Sequence, residues 1–108
     1  MQINLNTEHL ELNEKQREQI LGKFEKLTRF ADRLSDEASG MKISLQYEHT
    51  GKPRFRFTCI VTVFAPRGTL RAETRQDTLE NAVDDAIDKM KGQIEHYKSK
   101  LHHLEERK

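Results

Sequence analysis

With 108 residues and a single cysteine, the chain has room for one domain and for no internal disulfide. Hydrophobic and charged residues each make up 34%, which implies a lean core, a heavily charged surface and a two-layer fold whose elements bury one side each. No apolar run approaches the roughly 18 residues of a membrane span, and a net charge of +1 argues on its face against a nucleic-acid protein unless the cations are segregated.

Residues 1–6 alternate, with Ile3 and Leu5 between Gln2, Asn4 and Asn6, and read as a short strand. The opening lacks the basic start and apolar block of a secretory signal, and together with the lone cysteine this points to the cytosol. Asn13 and Gln16 have the spacing of a capping box at the head of a helix. Ile20, Phe24, Leu27, Ala31 and Leu34 then form a helical stripe that ends near Ser35, and residues 35–40 make a polar turn closed by glycine. Met41, Ile43, Leu45 and Tyr47 alternate with polar neighbours in a second strand. Thr50-Gly51-Lys52-Pro53 is a turn cluster.

Residues 54–64 read as the third and longest strand. Phe55, Phe57, Cys59, Val61 and Val63 share one face; Arg56, Thr58, Ile60, Thr62 and Phe64 share the other. After the turn at Pro66-Arg67-Gly68, Leu70, Ala72 and Thr74 oppose Thr69, Arg71, Glu73 and Arg75 in a fourth strand. Residues 77–104 form one long amphipathic helix. Its apolar stripe is Leu79, Val83, Ile87, Met90, Ile94, Tyr97, Leu101 and Leu104, and Asp77 with Glu80 is the expected capping box. At about 1.5 Å per residue the helix is a rod of roughly 40 Å, and only Gly92 weakens it.

The order is β-α-β-β-β-α, an α+β fold with two helices packed on one face of a four-stranded sheet. The opposite face is expected to carry Asn4, Lys42, Gln46, Arg56, Thr62 and Arg71. Residues 1–104 make a single domain, and residues 105–108 a short charged tail.

The charges are sorted. On the first helix Lys15, Lys23, Lys26, Arg29 and Arg33 fall along one flank, and Glu14, Glu18, Glu25 and Asp32 along the other. On the second, Lys89, His96, Lys100, His103 and Arg107 lie near one line. Asp84, Asp88, Glu95 and Glu106 lie on the other side, with Lys91 and Lys98 among them. Adjacent helices that merged their basic flanks would present one positive ridge to phosphates, with the acids turned elsewhere.

The opening MQINLNTEHLELNEKQREQI…KFEKLTRFADRL resembles the start of the ribosome hibernation-promoting factors, also called ribosome-associated inhibitors or sigma-54 modulation proteins. Gly68-Thr69-Leu70-Arg71-Ala72-Glu73 and Ala82-Val83-Asp84-Asp85-Ala86-Ile87-Asp88-Lys89 are similar to that family's fourth strand and second helix. The resemblance covers nearly the whole chain and is closest to the short type, which lacks a C-terminal ribosome-pairing domain. It implies a fold akin to double-stranded-RNA-binding domains. It also implies binding to small-subunit rRNA in the mRNA and tRNA channel, blocked translation and preserved idle ribosomes under stress or in stationary phase, in some members with a second hibernation factor.

By position, Lys23, Lys26, Arg29, Lys89, Lys98, Lys100 and Arg71 match basic sites of the family. Arg33, Lys91 and His96 complete the candidate rRNA-binding set. Where many members read Lys-x-x-Arg-Gln-x-Arg-Lys on the second helix, this chain has Lys89, Gly92, Gln93, Glu95 and His96.

No other chemistry finds footing. Cys59 alternates with Phe57 and Val61 on an inward face and reads as a buried structural thiol. His96, His102 and His103 lack the spacing of a metal site, so neither cofactor nor metal is expected. No phosphate loop, Gly-x-Ser-x-Gly or His-Glu-x-x-His is present, and the reading is non-enzymatic. Tyr97 reads as core, whereas Phe64 falls on the open sheet face as either a stacking contact or a strand-end contact. The rival reading is a protein-interaction module that dimerises through Leu101 and Leu104 on the overhanging helix.

Overall fold

A computed structural model describes residues 2–30, 40–49, 52–65 and 68–106, with no side chain described at Pro53 or at residues 101–106. The expected turn over residues 35–40 except Gly40, the stripe members Ala31 and Leu34, the turn residues Thr50, Gly51, Pro66 and Arg67, and the candidates Arg33 and Arg107 lie outside the described residues.

The elements follow the expected order: β1 (Ile3–Glu8), α1 (Glu14–Phe30), β2 (Gly40–Tyr47), β3 (Phe57–Ala65), β4 (Gly68–Gln76) and α2 (Leu79–Glu106). The four strands lie in sequence order across one sheet. β1 runs parallel to β2, because α1 carries the chain back between them, and β2, β3 and β4 pair antiparallel as consecutive hairpins. Both helices cover one face. Ile20, Phe24 and Leu27 of α1 join Ala82, Val83, Ala86, Ile87, Met90, Ile94 and Tyr97 of α2 in a single core. Leu5, Met41, Ile43, Leu45, Cys59, Val61, Val63 and Ala72 meet them from the sheet.

The cap at α1 is the reciprocal box its sequence announces. Gln16 N–H donates to Asn13 Oδ1 at 2.8 Å, and Asn13 N–H donates to Gln16 Oε1 at 3.1 Å. At α2 the cap is Thr78 and not Asp77. The Asn81 N–H donates to Thr78 Oγ1 at 3.1 Å, while Asp77 Oδ1 accepts from the Asn81 side chain at 3.2 Å. Threonine and aspartate both cap well, and here the threonine stands where the first helical carbonyl is needed: Ala82 N–H donates to Thr78 O at 3.1 Å.

Several strand boundaries differ from the pattern reading. β1 runs to Glu8 because the parallel ladder holds Thr7 opposite Leu45 and Glu8 opposite Gln46, residues with no apolar signal of their own. β3 starts at Phe57, not residue 54. Pro53–Phe55 is a 3-10 turn, closed by Phe55 N–H donating to Lys52 O at 3.0 Å, so Phe55 leaves the inward face and is 47% exposed. Arg56 follows with helical backbone angles and stands outside β3, so the strand's alternation does not place it on the open face. β4 begins at Gly68, whose φ of +154° suits glycine where the hairpin returns opposite Ala65.

The edge of β4 is closed by α2. Gln93 Oε1 accepts from Arg71 N–H at 3.2 Å, and Gln93 Nε2 donates to Arg71 O at 2.5 Å. One side-chain amide thus stands in for a neighbouring strand at the position where β4 has none. A second clamp lies at the start of α2, where Thr74 Oγ1 donates to Ala82 O at 2.7 Å within the core.

Candidate nucleic-acid interface

Two cations of α2 converge on Phe30, at the end of α1. Lys98 Nζ lies 5.0 Å from the centre of the Phe30 ring and Lys91 Nζ 5.7 Å from it, both within the range of a cation–π contact. Lys98 also donates to Phe30 O at 2.8 Å, so it binds a carbonyl at the end of α1, where positive charge is favourable. From α1, Lys23 and Lys26 line the same groove, whose floor is Leu27, Phe30 and Ile87.

The groove is not purely positive. Asp84 and Asp88 also line it, and Lys23 Nζ lies 2.7 Å from Asp84 Oδ1. That pair is exposed, with side-chain accessibilities of 40% and 57%, so its worth is within about 1 kcal/mol. It nevertheless neutralises Lys23. Among the described residues Lys26, Arg29 and Lys91 make no ion pair. Arg29 is exposed in the last turn of α1, and Arg33 lies outside the described residues.

The expected single ridge is therefore two basic groups. Lys89, His96 and Lys100 are exposed on the opposite flank of α2, in a cleft against Leu70 of β4, away from α1. The flank of α2 that meets α1 is the acidic one, with Lys91 and Lys98 interspersed. The reason is the angle at which α2 rolls onto the sheet. Its buried line runs through Ala82, Val83, Ala86, Met90, Ile94 and Tyr97, and this puts residues 84, 88, 91 and 98 on the α1 side and 89, 96 and 100 on the β4 side. Arg71 stands apart from both groups. It ends a row across the sheet, Asn4, Lys42, Thr62 and Arg71, on the face away from the helices, with Glu73 Oε2 at 3.9 Å.

Two features escaped the sequence pattern. Phe30, which gathers the cations, sits three residues after Leu27 and fits the helical stripe as well as Ala31 does. Gln93, which closes the β4 edge, carried no signal beyond its place between Gly92 and Ile94. Cys59 and Tyr97 are both core, as expected.

The family model described as "Sigma 54 modulation protein / S30EA ribosomal protein" matches residues 3–102. The chain belongs to this family. Solved structures share the fold, two of them over most of the chain. The Protein Y N-terminal domain of Thermus thermophilus superposes with a TM-score of 0.69 at 23% identity, over 90% of this chain and 99% of that one. A ribosomal subunit interface protein of Coxiella burnetii gives 0.65 at 20% identity, over 92% and 99%. No curated protein sequence matches the chain. Membership places the chain in a family of ribosome-associated factors, which is not a known enzyme class. No helix among the described residues is long and apolar enough to cross a membrane.

Proposed function

We propose that the chain is a ribosome hibernation factor: it binds small-subunit rRNA in the mRNA and tRNA channel, and by occupying that channel it blocks translation and preserves idle ribosomes. The observation that supports this most is the convergence of Lys26, Lys91 and Lys98 from two helices on the groove around Phe30. Cations fixed on two rigid rods present a preset spacing to phosphates. Each neutralised phosphate releases counterions, so binding comes with a steep salt dependence.

Recognition rests on shape and backbone charge, since side chains do not reach the bases in the deep major groove of A-form RNA. Arg29, exposed at the end of α1, extends the same surface. Lys23 contributes less, because Asp84 already holds it. No enzymatic step and no cofactor enters this reading.

The test is charge reversal where the cations make no ion pair, Lys26→Glu with Lys91→Glu. Cosedimentation of the purified variant with small ribosomal subunits is expected to fall at least tenfold. The slope of log K against log salt should shrink by about 0.7–0.9 for each phosphate that the variant no longer neutralises. Unchanged cosedimentation would remove this groove from the interface.

A further inference from the structure

The cleft between α2 and the edge of β4 is built differently from the groove around Phe30. Its lining among the described residues is Leu70, Lys89, Gly92, Gln93, His96, Tyr97 and Lys100, with no carboxylate among them, and it is an open cleft of about 380 Å³. That volume lies within the range of small-ligand sites. Leu70 and the ring of Tyr97 form an apolar wall. At Gly92 the helix is bare, and a Cβ built there meets nothing within 4 Å. A flat ring can therefore lie close against the helix backbone. The cations stand at the two ends. Lys89 is about 10 Å along the axis from His96 and roughly 16 Å from Lys100, at 1.5 Å per residue.

We propose that this cleft seats one unstacked nucleotide of a single-stranded RNA segment. Its base would lie against Leu70, Gly92 and Tyr97, with a phosphate on either side drawn to Lys89 at one end and to His96 and Lys100 at the other. The occupant follows from the chemistry of the lining. Apolar wall and bare backbone suit the face of a base, and a basic rim with no acid among its described residues suits a polyanion. Cations at both ends favour a nucleotide inside a chain, which carries phosphate on both sides, over a free monophosphate. The proposal rests on the chain being an RNA-binding member of its family and adds a second, separate contact on the other flank of α2. Gln93 is already committed to Arg71, which fixes the cleft's wall and leaves its floor to Gly92.

Gly92→Leu provides a test that spares the fold. Leucine is a better helix former than glycine, and the open space at position 92 accepts a side chain, which then fills the cleft. The wild-type chain and the variant, both labelled with nitrogen-15, are titrated with a ten-nucleotide single-stranded RNA, and separately with uridine and adenosine monophosphates. Amide shifts in the wild type are expected to cluster at Leu70, Gly92, Gln93 and His96 with the RNA. Shifts with the monophosphates should be weaker by tenfold or more in affinity.

Gly92→Leu is expected to lose that cluster while keeping RNA-induced shifts at Lys26 and Lys91, and while remaining folded by circular dichroism. Shifts confined to the α1–α2 groove in the wild type would overturn the cleft. So would a Gly92→Leu chain whose remaining amides at residues 70 and 93–96 respond as before. Cosedimentation with small subunits, run alongside, separates the two readings. A wild-type chain that binds subunits without cleft shifts refutes only the nucleotide seat; cleft shifts without subunit binding refute only the hibernation reading.

Discussion

Cys59 shows how much a single side chain's place decides its chemistry. It is fully buried between Phe57 and Val61, and loss of hydration pushes its pKa up to about 12. The folded chain therefore keeps this proton to a higher pH than the unfolded chain, whose thiol titrates near about 8.5. The thiol's contribution to stability is intact below that value. It is lost as the pH rises towards 12, at a rate approaching about 1.4 kcal/mol per pH unit. Cys59→Ala should lower the stability at pH 7 through the cavity it leaves, yet flatten the alkaline decline. Urea unfolding of both proteins at about pH 8 and pH 10.5 would show it, and parallel declines would contradict it. The inward alternation of residues 57, 59, 61 and 63 makes this burial legible in the sequence. The pairing of Lys23 is not legible there, because Asp84 lies 61 residues away and only the docking of α2 on α1 brings them together.

Elements are read from periodicity, and periodicity sees apolar residues only. The two helices, the inward faces of β2 and β4 and the cap of α1 are all carried by that signal or by local spacing. The ends of β1 and β3 are not, because partner strands and a proline turn set them: Thr7 and Glu8 are held by β2, and Pro53–Phe55 turns before β3 can start. The roll of α2 about its own axis is the other blind spot. A stripe of eight apolar residues fixes the buried side of a helix but not which neighbour stands on which flank, and the expected ridge depended on the flanks. The weak point inside α2 is local and testable. Gly92 has a helical neighbourhood with no contact that demands glycine, so Gly92→Ala should stabilise the protein by about 0.5–1 kcal/mol. Thr78→Ala should cost about 1 kcal/mol, because Asn81 N–H then has no acceptor. Urea midpoints shifted in these opposite directions would support both assignments; a stable Thr78→Ala protein would return the cap to Asp77.

Taken together, the molecule is nearly neutral yet electrically divided, with cations on both flanks of α2 and an acidic line between and beside them. The division has a consequence for affinity. Asp84 and Asp88 lie in the groove where Lys23, Lys26, Lys91 and Lys98 gather, and their charge opposes any approaching phosphate. On the proposed function, Asp84→Asn with Asp88→Asn releases Lys23 and removes two like charges from the rRNA's path. At the dielectric of bulk water each like charge costs about 1 kcal/mol at a separation of about 4 Å, so small-subunit binding should tighten several-fold at low salt. The gain should vanish near about 1 M salt, where the screening length falls to roughly 3 Å. Stability should drop by no more than about 1 kcal/mol, since the Lys23–Asp84 pair is exposed. Cosedimentation at two salt concentrations reads the outcome. Tighter binding that persists at high salt would point to a rearranged contact and not to relief of repulsion, and weaker binding would mean that Asp84 matters for holding Lys23 in place more than for the charge it brings.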